Sequence, residues 1–165
     1  MVSDGTTRIE SLRRRIDGTT IDDRSLLSTD FFNHANEAIM LLGLLPDMPD
    51  MLDELKAWRP KSYAEHFRGS SLPFADLAIE CYDAAEPQVR SDFDAVVSRI
   101  EGRIADAVAR LDVCGTDPEF RHVCDTAMRD LTNLVGEGSG VVHGVATAGT
   151  TEGSSDQSAI DALFD

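Results

Sequence analysis

The residues of this chain that could do covalent or metal chemistry are few. Cys114, His122 and Cys124 are the one grouping of metal-ligand types at close spacing. A zinc site needs a fourth ligand and a turn that gathers all four, so buried thiols on helix faces are the expected role for these cysteines. Three cysteines without a C-x-x-C pair also make no disulfide framework. No Gly-x-Ser-x-Gly nucleophile elbow occurs, because Gly136-Glu-Gly-Ser-Gly140 has the wrong spacing. Gly136, Gly138 and Gly140 do not make a phosphate loop either, since no Lys follows them and no strand precedes them. No metal or cofactor is expected.

Recognition chemistry is concentrated in residues 156–165. Ile160, Leu163 and Phe164 fall at i, i+3 and i+4, which puts all three on one face of a helical turn. Ser158 and Asp161 have capping-box spacing just before that face. So short a segment is not a stable helix alone, since isolated helices below roughly 12–15 residues are marginal in water. A helix that forms when its apolar face meets a groove is a docking peptide.

Gln157, Ile160, Asp161, Ala162, Leu163 and the apolar Phe164 resemble the Ser-Gln-x-Glu-Ile-Asp-Ala-Leu-Leu segment of the FliM family of flagellar switch proteins. Asp156 stands where that motif has Ser, and Ala159 where it has Glu. The segment is similar, more loosely, to the C-terminal peptide of the CheZ phosphatases. The resemblance implies a CheY-like response regulator as partner, and it covers about ten residues and none of the body. CheZ-like phosphatases set an acid and an amide on one helix, the amide orienting a water at the aspartyl phosphate and the acid engaging the regulator's lysine. Their Asp-x-x-x-Gln is absent here, but Asn33 and Glu37 at i, i+4 are a substitute pair, and Asp130 with Asn133 a weaker one. A third reading is phosphotransfer. Glu65-His66-Phe67-Arg68-Gly69-Ser70 resembles the His-x-Leu-Lys-Gly-Ser segment of HPt domains, with the basic residue and the glycine each one position early. A one-residue shift turns a helical side chain by about 100°.

Lys+Arg 15 against Asp+Glu 30 gives a net charge of −15. Nucleic acid and anionic membranes are therefore poor partners, because affinity for phosphate rests on Lys and Arg. No apolar run approaches the ~20 residues a membrane span needs, and the first residues lack the apolar region of a signal peptide. A cytoplasmic protein without membrane insertion is expected. Residues 1–27 are neutral overall, with Arg13-Arg14-Arg15 beside Ile9, Leu12 and Ile16 at helical spacing. They predict a short amphipathic helix lying on an acidic body.

The elements that would position these residues are helices. A helix over about 30–45 is predicted from Phe32, Ala35, Ile39 and Leu42 on one face, with Phe31, Ala38, Met40 and Leu41 widening it. Pro46 to Pro49 ends it, and a second helix runs to about Trp58. Ser62-Tyr-Ala-Glu65 is a capping box for a short helix closed by Gly69. Another starts near Ser71 and Pro73. Val89, Phe93, Val96, Ile100, Ile104, Ala107 and Leu111 then form a near-heptad seam. Thr116-Asp117-Pro118 opens the last strong helix, for which Gly136 is the expected stop. Val141, Val142 and Val145 are the one hint of strand. The fold class is thus all-α, with a bundle over 28–135 and a flexible Gly/Ser/Thr linker over 136–155. That linker would have a reach of about 25 Å, ending in the docking peptide 156–165.

Overall fold

The structure is a computed structural model that describes residues 4–144; the expected docking helix of residues 156–165 lies outside the described residues. The described chain is an all-α bundle of seven helices. They are α1 Asp4–Arg15, α2 Asn33–Leu44, α3 Leu52–Ala57, α4 Tyr63–Arg68, α5 Ala75–Ala84, α6 Pro87–Asp112 and α7 Asp117–His143. No helix among the described residues is long and apolar enough to cross a membrane.

The helix boundaries follow local chemistry. Ser62 accepts a bond from the Glu65 amide while Glu65 accepts one from the Ser62 amide, so both ends of the box are made. Thr116 accepts from the Glu119 amide and Pro118 sits in the first turn of α7. The seam of α6 turns inward, with Phe93, Val96, Ile100, Ile104, Ala107 and Leu111 buried along α7.

Two boundaries differ from the sequence reading. The described part of the N-terminal segment forms α1 and runs on into the bundle core. Leu12, Ile16, Ile21, Leu26 and Leu27 are buried in the same core as α6 and α7, and Arg15 pairs with Glu80 on α5. The turn from Asp22 to Leu27 is held by the Asp22 carboxylate, which accepts bonds from the Arg24 and Ser25 amides. It carries Leu26 in the left-handed region, at φ 65°, while burying its side chain.

The second difference is the end of α7. Gly136 does not stop this helix, and Val141 and Val142 are helical and buried rather than strand. A residue far away in the chain, Phe32 at the end of the 3-10 turn Thr29–Phe32, uses this stretch. A Cβ on Gly138 would collide with the Phe32 ring, so this glycine is the space into which a core ring packs. The helix ends instead at Gly144, in the left-handed conformation at φ 78°. Arg24 donates to the His143 carbonyl, and His143 Nδ1 lies 3.3 Å from Asp22 Oδ2. The stretch expected as linker from residue 136 is therefore helical through His143, and residues 145–155 lie outside the described residues.

Candidate functional site

The site is the outward face of α2, and its position is set by His34 and Trp58. The predicted helix over 30–45 is a short 3-10 turn, Thr29–Phe32, followed by α2. Ser28 caps the turn by accepting from the Asp30 amide. In the first turn of α2, His34 is buried, and its ring stacks on Trp58 at 4.5 Å. Trp58 Nε1 returns a hydrogen bond to the His34 carbonyl at 2.9 Å. His34 Nε2 donates to the Arg59 carbonyl, which can only accept. Nδ1 makes no hydrogen bond and faces Glu37 Oε2 at 3.5 Å. This clamp ties the start of α2 to the end of α3 and fixes which side of α2 faces out.

That side carries Asn33, Asn36, Glu37, Met40 and Leu44, all exposed. Asn33, Glu37, Met40 and Leu44 are spaced 4, 3 and 4, so they form one stripe. Met40, expected to widen the core face, is instead 60% exposed, and Leu44 is 39% exposed. The core has taken Ala35, Ala38 and Leu42 on the other side. Met48 extends the row. Its amide donates to the Leu44 carbonyl at 2.9 Å, so helical spacing persists one turn beyond α2. Met48 is 50% exposed. Gly43 leaves a notch beside Met40, and Met128 of α7 sits at its edge, 3.3 Å from where a Cβ would be. Apolar side chains on more than one face of the helix are the sequence signal for this stripe, and the same signal fits a wide core face.

The other sequence candidates are placed as follows. Asn33 and Glu37 share the exposed stripe, one turn apart. In the alternative pair, Asp130 is engaged by Arg103 Nε at 2.9 Å. His66 is half-buried, edge-on to Phe31 at 5.5 Å and to Phe67 at 5.0 Å. Burial, which disfavours the imidazolium, holds its pKa below the ordinary value. Its helix ends at Gly69, directly after Arg68. Burial pushes the thiols of Cys81 and Cys124 up to about 11, the state of inert core cysteines. Among the described residues, no three His, Cys, Asp or Glu side chains gather in a way that could hold a metal ion. Gln157, Ile160, Asp161, Ala162, Leu163 and Phe164 lie outside the described residues.

Two of the clefts among the described residues are open and partly polar. One open cleft of about 500 Å³ lies between Pro46, Pro49 and the turn from Cys114 to Pro118. Another of about 550 Å³ is lined by Arg99, Arg103, Asp106, Asp130 and Glu137, which largely pair with one another. Ligand sites are usually enclosed and mostly apolar, with a few convergent polar groups. An exposed apolar row on a rigid helix is instead the form of a protein-binding surface. No family model matches this chain, and neither the curated proteins nor the solved structures include one that is significantly similar to it.

Proposed function

We propose that this chain is a signalling adaptor that docks on CheY-like response regulators through Gln157, Ile160, Asp161, Ala162, Leu163 and Phe164. The observation that carries this reading is the sequence of that segment: an apolar triplet on one helical face within a FliM-like acidic pattern. The body is consistent with an adaptor rather than an enzyme with an enclosed site, because its most distinctive surface is an exposed apolar helix face. Eleven residues separate Gly144, anchored beside Asp22 and Arg24, from Asp156. Chemotaxis or flagellar control is the setting that the resemblance implies, and a cytoplasmic location goes with it.

Three apolar side chains are worth about 1.5–3 kcal/mol each when buried. Ordering the segment gives back about 2–5 kcal/mol, and association costs more. The remainder fits a Kd on the order of 1–100 μM, suited to a switchable contact. Pull-down with purified CheY-family receivers, with and without beryllofluoride as acyl-phosphate mimic, tests the reading. Phe164→Ala or Ile160→Ala is expected to abolish receiver binding and leave the melting temperature unchanged. Loss of thermal stability on deleting 156–165, with no receiver contact to lose, would overturn it.

A CheZ-like phosphatase is the second reading, favoured by Asn33 and Glu37 standing exposed together on α2. It requires the chain to shorten the phosphoryl half-life of a receiver, and Asn33→Ala to restore it. The HPt-like reading through His66 is the weakest of the three, since a phosphoacceptor must reach solvent and this ring packs on Phe31 and Phe67.

A further inference from the structure

We propose that the row Met40, Leu44 and Met48 is the docking site for a basic amphipathic helix of a partner protein. This surface is separate from the 156–165 segment and does not rest on the receiver reading. Met40, Leu44, Met48 and Val113 are the large exposed apolar side chains of the described residues. Three of them form the single row along α2 and its following turn, and the fourth adjoins the cleft lined by Pro46, Pro49 and Cys114. Three of the five methionines of the chain, Met40, Met48 and Met128, border the row. Methionine is unbranched and polarisable, so such a surface adapts to the side chains laid on it.

Charge selects the occupant. Between residues 33 and 55 stand Glu37, Asp47, Asp50, Asp53 and Glu54, and no Lys or Arg. All five are exposed. The neighbouring bases do little to neutralise them. Arg121 reaches Asp47 at only 3.7 Å, and the Asp47 side chain stays 86% exposed. Lys56 is occupied by Asp112 at 2.8 Å. An apolar row rimmed by carboxylates fits a helix with apolar side chains on one face and Lys or Arg flanking them.

The occupants available within the chain fit worse. A second copy of α2 would set Glu37 and Asp47 against their own like charges. Residues 145–165 carry Glu152, Asp156, Asp161 and Asp165 and no base, so they too are repelled. The basic helix α1 has already spent Leu12, together with Ile16 just beyond it, on the core.

The test uses the full chain and two labelled synthetic peptides of about 18 residues, long enough to form a helix. One has Leu on one face and Lys on the other; its counterpart has Glu for Lys. Fluorescence anisotropy at about 0.15 M salt reads binding under ordinary screening. The Lys peptide is expected to saturate at one per chain, and the Glu peptide to show no binding. Met40→Ser with Leu44→Ser leaves the charge unchanged, and should weaken the Lys peptide by about tenfold or more, as loss of central contacts does. Glu37→Gln with Asp47→Asn should weaken it several-fold. Asp76→Asn with Asp83→Asn removes equal charge from α5 and should leave it within about twofold, because distant exposed charges are screened. Circular dichroism melting shows that each variant is folded.

Five results would overturn the proposal. The Lys peptide fails to bind; it binds the Met40/Leu44 variant as it binds wild type; the α5 variant loses as much as the α2 variant; or the Met40/Leu44 variant turns a dimer into a monomer in analytical ultracentrifugation. The last would make a second copy the occupant. A rise in Lys-peptide affinity of about tenfold on removing 145–165 would likewise overturn it, since the chain's own tail would then be what covers the row.

Discussion

Helices α2 and α6 show two fates for apolar residues at helical spacing. On α6 the apolar positions form one narrow seam, buried mainly along α7, with Phe93 packed on Phe31, Phe32 and Tyr63. On α2 they spread around more than half the helix, and no single neighbour can cover that width. The 3-10 turn before α2 and the His34–Trp58 clamp set its rotation, so Ala35, Ala38 and Leu42 go inward and Met40 and Leu44 are left out. Periodicity tells where an apolar face is. Only the number of helices packed around it tells how much of that face is core.

The contrast can be broken most directly by mutation at its two extremes. Phe93 is fully buried on the α6 seam, against Phe31, Phe32 and Tyr63. Phe93→Ala is expected to cost about 3–5 kcal/mol in urea unfolding. A cost below 1 kcal/mol would mean the seam is not the centre of the core.

Two glycines of α7 give the next largest effect, with opposite signs, because Gly138 is packed against a ring and Gly136 faces open space. Gly138→Ala would push a methyl into the Phe32 ring and should destabilise by about 1–3 kcal/mol. Gly136→Ala meets nothing within 4 Å and should stabilise by about 0.5–1 kcal/mol through helix propensity. If Gly136→Ala is destabilising too, α7 does not run through this stretch as one helix.

A pH experiment sharpens the picture on the packed side, around α4. Burial lowers the pKa of His66 from 6.5. The unfolded chain therefore binds the proton more readily than the folded one. The contribution of neutral His66 is fully present above the unfolded value and is lost as pH falls through the lower folded value. Melting temperature should drop between pH 7.5 and 5, and His66→Gln should flatten that drop. An unchanged slope in His66→Gln would assign the pH dependence elsewhere.

The smallest effect is expected on the α2 stripe. Met40→Ala and Leu44→Ala should stay within about 0.5 kcal/mol of wild type, as exposed substitutions do. Near-neutral stability there, alongside lost peptide binding, is the signature of a surface kept for a partner. A cost comparable to Phe93→Ala would put Met40 back in the core, where its spacing alone suggested it belonged.

The sequence by itself determined what is decided within one or two turns. The capping box at Ser62, the Thr116 cap with Pro118, the breaks at Pro46 and Pro87, and the seam of α6 are all local: a side chain meets a backbone group three residues away, or apolar groups recur on one face. The all-α class and most helix positions follow from these, and so does the recognition pattern of residues 156–165 as a stretch of sequence. The tertiary structure decided what depends on a distant neighbour. Gly138 is a helix-interior glycine because Phe32, more than a hundred residues earlier, needs its space. Residues 12–27 join the core because α1 packs on α5 and the turn at Asp22 meets the end of α7. Met40 is outside and His34 inside because Trp58 stacks on one side of α2 and not the other. In each case the local chemistry allowed both outcomes, and a contact between residues far apart in the chain selected one.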